Sequence, residues 1–400
     1  MQMKNFLLLT LAVLLALPLM AQTGLRHDGL IFRLYSTEGG APYAEVIGNL
    51  LTEPTAVTIP STVSKDGIDY NVIGIADKAF ESCAYLTSVT IPNSVTKIGE
   101  GAFRLCHTLT SVSIPNSVTE IGNAAFYCCC RLPSVTIPNS VTKIGNRAFY
   151  ACETLTSVSI PNSVTEIGNA AFYCCCRLPS VTIPNSVTKI GNRAFYACET
   201  LTSMNIPNSV IEIGASAFKW CSALTSVTIP NSVTSIAAST FESCNALTSM
   251  TIPNYVTEIG EYAFASCSGL TSVNIPASVR SIGNKAFSEC NKLVEINYST
   301  IDPAIADRDV FSNNSYKTAT LNVAIGGLDK AYSTSPWMYF LNIQEKDFTG
   351  IEMVMAELDP NVPVEIFGLS GTKVADTTEG LPAGLYIIRQ GKISKKVAVK

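Results

Sequence analysis

The sequence predicts a right-handed α/β solenoid. It reads as a stack of 23-residue coils, each with a short parallel strand and a short helical turn, capped at both ends and followed by a small β module. Three observations predict it. The dipeptide Ile-Pro recurs every 23 residues from Ile91 to Ile275. Phenylalanine keeps the same period from Phe80 to Phe287, and leucine from Leu86 to Leu293. Residues 108–157 recur unchanged at 154–203, a shift of two whole units. A fixed period in this size range marks units that cannot bury their apolar faces alone and do so by stacking.

Residues 1–21 read as an export signal. Lys4 supplies a positive start, and Phe6 to Leu19 is an almost unbroken apolar run. That run is shorter than the about 20 residues a membrane span needs, and it ends at a small residue, Ala21, the expected cleavage point. No cysteine precedes Cys83, so no lipid-carrying cysteine follows the cleavage point. Residues 22–56 hold two strand-like runs, Leu30 to Tyr35 and Ala44 to Ile47, around Gly39-Gly40. They are expected to form a hairpin that covers the first coil, because an open solenoid end exposes unpaired backbone.

The array occupies residues 57–297. One unit reads Leu86-x-x-Val89-x-Ile91-Pro92-x-x-Val95-x-x-Ile98-Gly99-x-x-Ala102-Phe103-x-x-Cys106. Leu86 to Ile91 mostly alternates apolar residues with Thr or Ser, as a half-buried strand requires, and Pro92 ends it by removing a donor. Val95 to Ile98 is expected to be a connecting turn broken by Gly99. Ala102-Phe103 with Cys106 three on fits a short helical turn with its apolar side inward. Stacked strands lie about 4.8 Å apart, and the parallel crossover sets the right-handed coil.

The motif Ile-Pro-x-Ser-Val-x-x-Ile-Gly-x-x-Ala-Phe-x-x-Cys resembles the leucine-rich repeats of the bacterial surface-antigen type, called BspA-like or Treponema-type. The resemblance implies a leucine-rich repeat fold and a non-catalytic secreted or cell-surface protein. Such a protein would bind proteins, as in adhesion to host or matrix, or glycans. Ser94, Ser117 and Ser140 stand where ordinary leucine-rich repeats place a buried asparagine ladder, so serine hydroxyls are expected to satisfy the turn backbone.

Ten of the 14 cysteines keep the 23-residue beat, from Cys83 to Cys290. Equivalent positions in stacked coils project in parallel at a spacing wider than a disulfide wants, so these thiols are expected to be reduced core residues. Cys128, Cys130, Cys174 and Cys176 flank the ladder without the spacing of a metal site. Lys97, Glu120, Lys143, Glu166, Lys189 and Glu212 alternate in sign at one position, which favours stacking of neighbouring coils.

Two surfaces are candidates for binding. The first is the hydroxyl-rich strand face, represented by Ser111, Ser113, Ser134, Thr136, Ser157, Ser159, Ser180 and Thr182. The second is a row of aromatic residues beside the repeat phenylalanine, represented by Tyr150 and Tyr196. The hydroxyls can equally serve to bond across strands, and the aromatics can equally be part-buried packing.

After Leu293 the period falters, and residues 298–345 are expected to form a C-terminal cap around Leu321 to Val323, Trp337, Phe340 and Ile343. Residues 346–400 form a β-rich tail. Within it, Leu381-Pro382-Ala383-Gly384-Leu385-Tyr386-Ile387 and the final Lys395-Lys396-Val397-Ala398-Val399-Lys400 resemble the C-terminal sorting tail of Bacteroidetes secreted proteins. That resemblance implies passage through the outer membrane.

Composition narrows the function classes. The net charge is −4, charged residues are 14%, and no basic cluster exists in the interior, which leaves no material for a nucleic-acid groove. His27 and His107 are the only histidines, and no H-E-x-x-H, G-x-S-x-G or phosphate-binding G-x-x-x-x-G-K-[ST] motif is present. No enzyme, metal or cofactor is therefore expected. The expected partner is a protein or glycan met at an outer-membrane or cell surface, with no transmembrane segment in the mature chain. The alternatives are a structural spacer or antigen without a specific ligand and, further off, an enzyme with its site in an end segment.

Overall fold

The computed structural model describes residues 22–36, 40–348, 362–368, 371–377, 381, 384–391 and 393–399. The export signal lies outside the described residues, as does part of the sorting-tail motif. The chain winds into a β-solenoid of about 12 turns with few helices. Each coil closes around the residues that set the repeat: Leu86, Val89, Ile91, Val95, Ile98, Ala102, Phe103 and Cys106 are all at most 3% exposed. Phenylalanine rings from Phe80 to Phe311 stack down the axis with centroids 5.1–5.6 Å apart.

The first coils carry β1 (Gln22–His27), β2 (Leu30–Tyr35), β3 (Tyr43–Asn49), β4 (Thr55–Thr58), β5 (Thr62–Lys65) and β6 (Ile68–Ile75). β1, β2 and β3 are antiparallel neighbours, so residues 22–56 add a strand to the predicted hairpin. β3 then runs parallel to β6, which also forms a hairpin with β5.

The predicted strand of each unit is present in most coils. Leu86–Thr90 pairs in parallel with Ser111–Ser113, Ser134–Thr136 with Ser157–Ser159, and Ser203–Asn205 with Ser226–Thr228, each with a 23-residue offset. The ladder is interrupted before Ser134, and Ser180–Thr182 joins no strand, contrary to the sequence expectation. Proline accounts for these two places, whereas a further break, before Ser249–Thr251, falls where Thr248 stands. The Thr110 N–H donates to Thr87 O at 2.8 Å and the Thr225 N–H to Thr202 O at 3.0 Å, but Pro133 and Pro179 occupy that position and have no N–H to give.

The stretch Val95–Ile98, read as a connecting turn, instead ends in a second strand. Lys97–Ile98 and its counterparts through Glu212–Ile213 extend β1, β2, β3 and β6, with β5 beside β6, into a sheet of 11 strands. Two features hold it. The Gly122 N–H donates to Ile98 O at 2.9 Å, with the same bond in neighbouring coils. The alternating charges pair across it: Lys97–Glu120 at 3.4 Å, Lys143–Glu166 at 2.8 Å and Lys189–Glu212 at 3.0 Å. Such exposed pairs are screened by solvent and salt and contribute little.

Glycine permits the close approach. A Cβ on Gly168 would lie 2.7 Å from Ile144 O and 2.8 Å from the Gly145 carbonyl carbon, both backbone. Ala237 stands at this position in one coil, and there the sheet stops: Glu212–Ile213 does not pair with Ser235–Ile236, which begins a new sheet. Gly168→Ala is therefore expected to open the ladder between Lys143–Ile144 and Glu166–Ile167. The expected cost is about 1–3 kcal/mol, as for overpacking, read by denaturant unfolding. An unchanged midpoint would show that glycine is not needed there.

The predicted helical turn is a single hydrogen-bonded turn, Cys106 N–H to Phe103 O at 3.3 Å. It does not propagate, because Gly101 and Leu105 have φ of 58° and 61°, and their counterparts in every coil are also left-handed. Hydroxyl ladders satisfy carbonyls between coils. Ser117 Oγ donates to Val95 O at 2.6 Å and Ser163 Oγ to Val141 O at 2.6 Å, the role expected of the serines. An asparagine row escaped the sequence reading: Asn123, Asn146 and Asn169 each accept from the next coil's backbone N–H at 2.8–2.9 Å.

The ladder cysteines are buried and act as weak donors to the preceding coil. Cys106 Sγ donates to Phe80 O at 3.0 Å and Cys129 Sγ to Phe103 O at 3.2 Å, a pattern that continues to Cys290. Burial pushes the Cys106 and Cys290 thiols up to about 12 and raises those between them.

Beyond the array, Phe311 continues the ring stack, and Trp337 is fully buried against Tyr298 with centroids 4.9 Å apart. Strands Thr320–Ala324 and Asn342–Lys346 extend the strand face past Glu295–Tyr298. Residues Glu365–Gly368, Lys373–Ala375, Gly384–Gln390 and Ile393–Val399 form a separate four-stranded antiparallel sheet around Val364, Ile366, Ile388 and Val397. Among the described residues no helix is long and apolar enough to cross a membrane.

Candidate functional site

The two surfaces singled out in the sequence lie on different sides of the coil. Ser111, Ser113, Ser134, Thr136, Ser157, Ser159, Ser180 and Thr182 are all exposed on the strand face. That face is uncharged and carries no aromatic residue at these positions. Tyr150 and Tyr196 belong instead to the turn side, where the backbone reverses beside each phenylalanine.

On that side Tyr127, Tyr150, Tyr173 and Tyr196 form a continuous ribbon. Successive ring centroids are 4.4–4.5 Å apart and the planes lie within 7° of parallel. The stack follows directly from the 23-residue period, because a residue at the same place in each coil meets its own copy. The rings are half-buried and cover each other's faces, so their edges and hydroxyls remain to meet a ligand. Desolvation, followed by the charge of Tyr127 for Tyr150 and of Tyr196 and Tyr150 for Tyr173, raises the pKa of both, so these hydroxyls stay protonated donors at neutral pH.

Ion pairs bracket the ribbon. At one end the Arg104 guanidinium sits 5.3 Å from the Tyr127 ring centre and bonds Glu81. At the other, Lys219 pairs with Glu242 at 2.8 Å, and Trp220 tilts 41° against Tyr196. Trp220 stands one residue beyond the tyrosine position, which Lys219 fills in that coil.

Between this ribbon and the preceding turn runs an open groove of 720 Å³. Its second wall is the row Lys78, Gly101, Ala124, Arg147, Ala170, Arg193 and Ser216, one residue from each successive coil. Five cationic side chains and one carboxylate, Glu100, line the groove of a chain whose net charge is −4. The cationic row was not recognised in the sequence, although Arg147 and Arg193 stand at a position otherwise filled mainly by small residues. Among the described residues no cluster of three or more His, Cys, Asp or Glu could hold a metal ion. His107 Nδ1 lies 3.8 Å from Cys130 Sγ, an exposed contact.

A 23-residue parallel coil, a ladder of identical core residues and a groove that crosses many coils define a repeat protein of the β-solenoid class. The family model described as BspA type leucine rich repeat region (6 copies) matches twice, at residues 73–202 and 188–318. The chain belongs to that family. Similar solved structures include a leucine rich cell surface protein from Faecalibacterium prausnitzii, 29% identical, covering 70% of this chain and 96% of its own, with a TM-score of 0.37. A leucine-rich repeat protein from Bacteroides ovatus is 25% identical, covering 81% of this chain and 100% of its own, with a TM-score of 0.35. One from Eubacterium ventriosum is 20% identical, covering 91% and 99%, with a TM-score of 0.43. No curated protein matches the chain.

Proposed function

We propose that the protein is a non-catalytic, exported surface protein that binds an extended protein or glycan ligand along its turn-side groove. The observation that carries this reading is the groove itself. Half-buried tyrosines of four consecutive coils and the exposed cations Lys78, Arg147 and Arg193 line it, whereas the strand face from Ser111 to Thr182 offers short hydroxyl side chains. Tyr and Arg are the residue types enriched where binding energy concentrates. The apolar run Phe6 to Leu19 and the resemblance of the last residues to a sorting tail support a location at the cell surface. The strand-face residues Ser111 to Thr182 are the second surface, and its uniform, uncharged character favours a spacer role there.

The test is a binding screen of the purified chain against matrix proteins and glycans, repeated with Tyr150→Ser/Tyr196→Ser and with Ser134→Lys/Ser157→Lys. The proposal expects the tyrosine variant to lose at least about tenfold in affinity, or roughly 1.4 kcal/mol. Loss confined to the lysine variant would move binding to the strand face. Absence of any ligand would favour the spacer.

A further inference from the structure

We infer that the groove receives a linear acidic glycan carrying one uronate carboxylate per disaccharide. The inference names the ligand class of the groove proposed above and rests on that proposal. Lys78, Arg147 and Arg193 are exposed along one wall, and among the described residues none of them forms an ion pair. Arg104 and Lys219, at the groove's ends, are by contrast each held by a glutamate. The unpaired cations are thus Arg147 and Arg193 within the span of the tyrosine ribbon, and Lys78 one coil beyond Arg104.

The spacing selects the ligand. Arg147 and Arg193 occupy the same place in coils two apart, because residues 108–157 recur at 154–203. At about 4.8 Å per coil, their guanidinium groups repeat at roughly 10 Å along the groove. That is the length of one disaccharide in an extended glycan, so each arginine meets the carboxylate of successive repeats in the paired geometry guanidinium favours. The alanine of the intervening coil, Ala170, leaves room for the uncharged sugar between them. The tyrosine faces are consumed by stacking, so sugars would meet ring edges and hydroxyl donors rather than flat aromatic platforms. An extended peptide returns side chains to one face every ~6.7 Å, out of step with the arginines. A nucleic-acid strand carries a phosphate about every 3.4 Å and would need a basic row unbroken by Ala124, Ala170 and Ser216.

The experiment titrates hyaluronan and chondroitin sulfate decasaccharides into the full chain by calorimetry, with carboxyl-reduced hyaluronan and poly-glutamate as comparisons. Arg147→Gln/Arg193→Gln and Tyr150→Ser/Tyr196→Ser are measured alongside, with melting temperature as the check on folding. The expected result is binding of an acidic decasaccharide that weakens with salt and is weakened at least about tenfold in the arginine variant. Little binding is expected of the carboxyl-reduced polymer or of poly-glutamate. Equal binding of poly-glutamate or of the reduced polymer overturns the inference. So does failure of both acidic decasaccharides, and if another ligand then proves sensitive to the tyrosine variant, the groove survives while its acidic-glycan ligand does not. Glycan binding that neither variant changes overturns both.

Discussion

Raising the pH of a reduced solution above about 9 is expected to unfold the array. Nine ladder thiols, from Cys106 to Cys290, have pKa values raised by burial, with Cys106 and Cys290 at about 12. In the unfolded chain a thiol ionises near pH 8.5. Below that pH both states hold the proton, so the folded state keeps its full stability. Above it the unfolded chain releases protons that the folded chain retains, and stability falls as pH rises towards the folded value. Each thiol contributes about 1.4 kcal/mol per pH unit in this window, so nine give a slope of roughly 12 kcal/mol per unit once all are ionised in the unfolded state. Denaturant melts at pH 7, 8, 9.5 and 10.5 read it directly. A flat profile between the first two and a collapse by the last is expected, with the ladder thiols reacting with a thiol reagent only as the chain unfolds. Stability that persists unchanged to pH 10.5, or ladder thiols that react in the folded protein, would show that the ladder is not a sealed core.

Phe172→Ala is expected to cost about 3–5 kcal/mol, the range for removing a buried aromatic ring. Its ring is fully buried and stacked between Phe149 at 5.5 Å and Phe195 at 5.4 Å, so the cavity is walled by other coils. A solenoid cannot collapse sideways onto such a gap without breaking its ladders on both sides, which places the cost at the upper end. Phe172→Leu should lose much less, because it keeps most of the volume. Urea unfolding of both variants separates volume from aromatic stacking, and a loss below about 1 kcal/mol for the alanine variant would contradict burial between coils.

The core was legible because a solenoid repeats its packing in one dimension. Leu86, Ile91, Phe103 and Cys106 recur with the coil, so their common burial follows from the period alone. The strand at Lys97–Ile98 was not legible, since two residues are too few to show alternation. What marks it is Gly99, needed because the preceding coil's backbone at Ala76 and Asp77 passes within contact distance. The loss of a strand at Ser180–Thr182 was written in Pro179, but only the pairing register shows which carbonyl goes without its donor. The tyrosine row could be read because identical residues fall at identical places. Arg147 and Arg193 were harder: both have left-handed backbone, with φ of 57° and 56°, and nothing in a helical or strand pattern says which way such a residue points. The groove exists because that row and the tyrosines, three residues apart in the chain, flank one turn.

The chain is a stack of interchangeable coils. Deleting residues 108–153 tests this most directly, because His107 then joins Thr154 and every new neighbour has the sequence of the old one. Small-angle X-ray scattering on the parent and the deleted chain measures the result. The deleted chain is expected to fold and to be shorter along its axis by two coils, about 10 Å, with its cross-section unchanged. An unchanged length, a widened cross-section, or aggregation of the deleted chain would contradict it.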